Sequence, residues 1–270
     1  MQSLQLRNES LVEIATFLVR RWSERENIII EFSDKTETKT RLKENKVILT
    51  SIEKRIGDDF QRYRQFRISL WYEAMRIKFC KKILSNDHAF GFILNTMETQ
   101  RVEQLGRSFW RGMDEEIIFN YAYMLVARPQ IHTIYGKARI VEAFYQYFMF
   151  GAIKGEIQSS HFERIKKASI FAKKIVDEAI RDKYDTEWLE KNVNDIIKIL
   201  DIDSLLTIPV SLPFMKEGMI MTEEELLKVL TIISKNKEGD FGKIDPKDAL
   251  TGSNMYDEYN VLLDENKKNI

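Results

Sequence analysis

The chain has 270 residues with 42 lysine and arginine side chains against 42 aspartate and glutamate, so its formal net charge is zero, and 44% of it is hydrophobic. That apolar share supplies a core and excludes a wholly disordered chain, while the balanced charge removes any global field toward nucleic acid or anionic lipid. A single cysteine, Cys80, excludes an internal disulfide framework and fits a reducing, cytoplasmic setting.

Taken from its start, MQSLQLRNES has no basic stretch followed by an apolar run, as a secretory signal would. Asn8 and Ser10 are N-cap types for a first helix reaching to about residue 25, with Leu11, Ile14, Ala15, Leu18 and Val19 at helical spacing. The β-branched run 27–32, the alternating stretch 36–42 and the segment 46–50 predict a small antiparallel sheet. From Ile52 the period becomes helical, and Ile56, Phe60, Tyr63, Phe66, Leu70 and Ile77 predict one long helix over 52–84. Further helices are predicted near 87–106, 113–127, 133–150, 160–182 and 185–200, with Pro129, Gly151 and Gly155 as breaks. Thr222 and Glu225 form a capping box for a helix to about 234, the stretch 235–252 is polar and turn-rich, and a last short helix is expected over 253–268. No apolar run is long enough to span a bilayer, and none of the spacing repeats. The expected fold is α+β and predominantly helical, with a small sheet packed on a long helix. Residues 1–206 form the main domain and 207–270 a helical extension.

The stretch SLWYEAMRIK, 69–78, has a glutamate where an H-E-x-x-H zinc peptidase helix carries its general base. In that motif two histidines one turn apart bind the ion and the glutamate activates its water. Here the histidine positions hold Tyr72 and Arg76, flanking Glu73. A guanidinium has no lone pair to donate, and its charge about 4 Å from a divalent ion would cost roughly 8 kcal/mol at an effective dielectric of ~20. Tyr72 would have to ligate as a phenolate, against an ordinary pKa near 10. The site therefore reads as degenerate, with no catalytic residue, metal or cofactor assigned. Two expectations follow: Arg76 stands in for the ion by pairing with Glu73 and Glu98, or Arg76 and Glu73 are solvated neighbours. A buried charged cluster of Glu73, Arg76, Glu98 and Arg101, with Glu103 on the same helix, is the structural form of the first.

The run TMETQRVEQLGRSFWRGM, 96–113, with Glu98, Arg101, Val102, Glu103, Leu105, Gly106, Trp110, Gly112 and Met113, resembles the helical region before the von Willebrand A domain of cobaltochelatase-type and nitric-oxide-reductase-activation proteins. It also resembles the zincin-like N-terminal domain found beside some von Willebrand A domains, and 135–156 is similar to an archaeal branch of these proteins. The resemblance covers about residues 70–155 and implies a non-enzymatic adaptor, a pseudoenzyme that works with a MoxR-type AAA+ ATPase and a von Willebrand A partner. The D-x-S-x-S loop of a von Willebrand A domain is absent, so the resemblance implies an N-terminal portion or a stand-alone form.

Two other classes remain open on sequence alone. One is a zincin-like metallopeptidase with unconventional ligands, His88 with Glu98 among them. The other is RNA binding through Lys54, Arg55, Arg62, Arg64 and Arg67, although their interleaving with Asp58 and Asp59 predicts a solvated helix face instead. The aromatic residues crowded between 109 and 150 are expected in the core, and the nearly all-apolar AFYQYFMF near its centre. DFG at 240–242 lacks the other kinase elements, and no Walker A sequence is present.

Overall fold

A computed structural model describes residues 8–33, 39–55, 57–208 and 221–251. Helix α1, Asn8–Ser23, buries Leu11, Ala15, Val19 and Trp22 along one stripe and packs on the helix α2 described below. Strands β1 (Ile29–Ser33), β2 (Lys39–Arg41) and β3 (Lys46–Thr50) make a sheet of order β1-β3-β2. β2 pairs with β3 antiparallel through a tight connection in which Asn45 takes the left-handed conformation, but β1 runs parallel to β3, with Ile30 opposite Val47 and Phe32 opposite Leu49. The sheet is thus mixed, not antiparallel as expected. β3, whose Val47 and Leu49 are fully buried, takes the centre, where both of its edges are paired and water is excluded. That placement pushes β1 and β2 to opposite edges.

The long helix predicted over 52–84 is shorter. A 3-10 turn at Ile52–Lys54 is followed by Gly57 at φ 111°, and Asp58 caps α2, Asp59–Phe79, accepting from the Gln61 amide at 2.8 Å. A glycine at positive φ and a capping carboxylate start a helix more firmly than hydrophobic spacing extends one. α2 is buried nearly all round between α1, the sheet and α3 (Ala89–Phe109). The α3 N-terminus has no side-chain cap. Its first amides donate to the carbonyls of Leu206 at 2.9 Å and Ser204 at 3.1 Å, so a distant segment satisfies groups that the helix itself leaves open.

The body continues with α4 (Asp114–Ala127), α5 (Ala138–Phe150), α6 (Ser159–Arg181), α7 (Thr186–Leu200), α8 (Glu223–Asn236), α9 (Glu238–Phe241) and α10 (Pro246–Thr251). α5 ends at Gly151, φ 70°, and buries Phe144, Phe148 and Phe150, the central position its apolar sequence predicts. The capping box of Thr222 and Glu225 opens α8 as expected. The polar stretch after it, expected as turns, folds into α9 and α10. Leu226, Leu230, Ile233, Phe241 and Ala249 of α8–α10 join the same continuous core as the rest of the chain. The helix expected over 253–268 lies outside the described residues. Predominantly helical α+β is the fold class. No helix among the described residues is long and apolar enough to cross a membrane.

Candidate functional site

The motif residues of α2 and α3 meet because Gly106 lets the two helices close. A Cβ there would lie 2.6 Å from Trp71 Cζ2 and 2.8 Å from Met75 Sδ. Beside this contact, Tyr72 on α2 donates its hydroxyl to Glu103 on α3. Tyr121 of α4 donates to the other Glu103 oxygen at 2.5 Å, and Gln100 Nε2 donates to the Tyr121 oxygen at 2.5 Å. Glu103 is 1% exposed. Burial raises its pKa; the two phenol hydrogen bonds and the fields of Lys237 and Arg107 oppose that rise without cancelling it. Burial, then the neighbouring Glu103 carboxylate, hold both phenols well above their ordinary value, so Tyr72 and Tyr121 remain donors.

One turn toward the α3 N-terminus lies a second group. Arg101 grips Glu98 through two bonds of 2.7 Å, and donates as well to the Phe79 carbonyl at 2.8 Å. Thr186 at the start of α7 donates to Glu98 Oε1 at 2.8 Å. Both side chains are enclosed, Glu98 at 2% and Arg101 at 4% exposure. This pair ties the end of α2, the middle of α3 and the start of α7. Cys80 lies against it, where burial and then the Glu98 charge push the thiol pKa up, away from a reactive thiolate.

Arg76 takes a third position. Its Nη2 donates to Thr99 at 3.1 Å and its Nε stands 3.7 Å from Glu73, whose carboxylate also accepts from Thr40 of β2. Burial disfavours the Arg76 charge, but the fields of Glu73, Cys80, Glu98 and Tyr72 outweigh it and raise the pKa. The structure therefore brings Arg76 to Glu73 in direct contact and to Glu98 only through space, since Arg101 occupies both Glu98 oxygens. Tyr72 and Arg76, which would have been co-ligands, turn to different carboxylates. His88 does not meet Glu98: its Nδ1 lies 3.1 Å from the Leu205 carbonyl, and ten helical positions, about 15 Å, separate the two residues. Among the described residues no cluster of three or more His, Cys, Asp or Glu side chains could hold a metal ion.

The basic stretch is a solvated face only in part: Lys54 is exposed and Arg62 lies beside exposed Asp59, but Arg55, Arg64 and Arg67 turn inward. Arg64, 2% exposed, bonds Glu116 of α4 at 2.9 Å and lies 3.8 Å over the Phe119 ring; buried Arg67 reaches the other Glu116 oxygen at 3.4 Å. Arg55 turns inward to the carbonyls of Thr50 and Gln65 and to Ser69, and burial lowers its pKa to about 10. The reason is tertiary: the compensating carboxylate lies some fifty residues away on another helix. Sequence reading also missed a third buried pair, Arg128 Nε to Glu142 Oε1 at 2.7 Å with Gln146 donating to the same oxygen at 2.7 Å. Glu142 and Gln146 sit one turn apart in a helix that is largely apolar from Ile140 onward, which was the available signal. Most of the crowded aromatics are core, as expected, but Phe109 and Tyr135 are exposed.

An open groove of about 410 Å³ beside this region is lined by Gln104, Arg107, Ser108, Asp114, Gly239 and Asp240. Its charges are satisfied from within: Arg107 bonds Asp114 at 2.7 Å and the Asp240 carbonyl at 2.7 Å, and Lys173 bonds the Asp240 carboxylate at 2.5 Å. Comparison of the chain with protein-family models, with curated proteins and with solved structures finds no match.

Proposed function

We propose that the chain is a non-catalytic adaptor or scaffold of the cytoplasm that works with a MoxR-type AAA+ ATPase and a von Willebrand A partner, in the maturation of a metalloenzyme. The reading rests on the resemblance carried by residues 96–113 and 135–156 and on one structural observation. Each carboxylate of the motif is engaged by an internal partner: Glu73 by Thr40 and Arg76, Glu98 by Arg101 and Thr186, Glu103 by Tyr72 and Tyr121. A general base must face the proton it removes, and a metal ligand must offer a free lone pair to the ion. These groups instead spend their capacity on holding α2, α3, α4 and α7 in register, the part played by a buried polar network in a scaffold.

The test is co-purification of the tagged chain from its native extract, followed by assay of the recovered ATPase with and without the chain. An AAA+ ATPase enriched with the chain, and a changed rate of ATP hydrolysis when the chain is added, support the adaptor. Recovery of no such ATPase refutes it. Stoichiometric zinc in the purified chain together with peptide hydrolysis lost on Glu98→Gln favours the metallopeptidase alternative.

A further inference from the structure

Helix α6 carries a run of positive charge along its middle. The thirteen residues 164–176 hold five cations, Arg164, Lys166, Lys167, Lys173 and Lys174, and no carboxylate, in a chain whose net charge is zero. The buried side of the same helix, Ile165, Ala168, Ala172, Ile175 and Val176, is already seated against the core. Between residues 165 and 176 the exposed positions are Lys166, Lys167, Ile170, Lys173 and Lys174, spaced i, i+3, i+4 along about 12 Å of one face.

Three of the five cations have intramolecular partners, and Arg164 bonds Asp201 at 3.0 Å. Lys173 reaches Asp240 at 2.5 Å, and Lys174 stands 3.9 Å from Glu178 with 70% of its side chain exposed. Lys166 and Lys167 have no ion pair with a described residue. At the centre of the four lysines Ile170 is 63% exposed and borders a shallow concavity of about 420 Å³ shared with Lys173, Lys174, Asp177, Glu178 and Arg181.

We propose that this face of α6 docks an acidic amphipathic helix of a partner protein. An apolar side chain of that helix would seat beside Ile170, with rows of Glu or Asp against the lysine pairs on either side. This is the arrangement in which flanking charges select a partner helix and set its register around an apolar contact. Charge complementarity and the central isoleucine together choose the occupant. Single-stranded nucleic acid is held by aromatic stacking and arginine; no aromatic side chain is exposed between 164 and 176, and the bordering arginines are already paired, Arg164 with Asp201 and Arg181 with Asp182. A bilayer would gain too little from one large apolar side chain to hold the helix in its interface. The surface is distinct from the buried α2–α3 motif, so it does not depend on the adaptor reading.

The test uses the whole chain and two synthetic helical peptides of about 20 residues, ~30 Å long. They share one leucine stripe, flanked by glutamate in one and by lysine in the other. The glutamate peptide is expected to bind, with an affinity that falls at least about tenfold between roughly 50 mM and 500 mM salt. Changing Lys166, Lys167 and Lys174 together to glutamate, all exposed and outside the core, should weaken it by at least about tenfold while circular dichroism stays unchanged. Ile170→Ser should weaken it severalfold with little change in the salt dependence. Equal binding of the two peptides, or unaltered binding to the lysine variant, overturns the proposal. Displacement of the glutamate peptide by mixed RNA or by phosphatidylserine vesicles at matched charge, lost in the same variant, also overturns it, in favour of those ligands.

Discussion

Removing Glu98 tests the physical account of the motif most directly. Glu98→Ala leaves the Arg101 guanidinium, 4% exposed, with the Phe79 carbonyl at 2.8 Å as its close remaining acceptor, and strips the Thr186 hydroxyl of its acceptor. Breaking a buried ion pair by deleting one member costs about 3–5 kcal/mol, because the surviving charge stays desolvated. At about 2–4 °C per kcal/mol for a chain of this size, the melting temperature should fall by roughly 6–20 °C. Replacing both members, Glu98→Leu with Arg101→Met, removes the desolvated charge and restores volume, so the double variant should lie within about 1–2 kcal/mol of the parent. Thermal melts followed by circular dichroism measure the full cycle, and its coupling energy should change little with added salt, since the pair is shielded from the ions that screen surface charges. A single variant losing less than about 1 kcal/mol, or a double variant no better than the single, would refute the claim that the pair is enclosed and mutually dependent.

Three further outcomes follow from the same structure. Gly106→Ala should cost about 1–3 kcal/mol, as the new methyl drives back Trp71 and Met75; a neutral result in chemical denaturation would mean that α2 and α3 are not in close contact there. Glu103 has a raised folded pKa, so its protonated form favours the fold. Its stabilising contribution is full below the unfolded value near 4.5 and is lost as pH rises through the folded value, at about 1.4 kcal/mol per unit of difference. Glu103→Gln should therefore gain on the parent in stability between about pH 4.5 and neutrality, and parallel pH–stability curves for the two proteins would contradict the shift. Thr222→Ala deletes half of the capping box and should cost about 1 kcal/mol, read as a lower denaturant midpoint with unchanged slope; no change would show that the α8 amides find other acceptors.

The helical elements were legible because their causes are local. Leu11, Ala15 and Val19 repeat at a helical period, Thr222 and Glu225 bond within a single turn, and Gly151 at positive φ stops α5, so each can be read from a few adjacent residues. Helix α2 shows the limit of that reading. Its apolar spacing runs past both ends, yet Gly57 with Asp58 sets the start and Cys80 in extended backbone sets the finish. In the motif itself, the residue types argue against an H-E-x-x-H zinc helix, since a guanidinium has no lone pair to donate and a phenol would have to lose its proton. They could not say which carboxylate each cation would take.

What the sequence determined by itself is the fold class, most of the helices, and the poor match of Tyr72 and Arg76 to a histidine ligand pair. What only the tertiary structure decided is the parallel pairing of β1 with β3, the burial of Arg64 and Arg67 around Glu116, and the division of Glu73, Glu98 and Glu103 among separate partners. The physical reason is the same in each case. A charge or a strand edge is buried only when its complements satisfy it: Arg76 and Arg101 lie one turn from Glu73 and Glu98, but the remaining partners come from β2, α4, α7 and the far side of a connection. Whether such a pair is enclosed depends on groups tens of residues away, which local spacing does not encode.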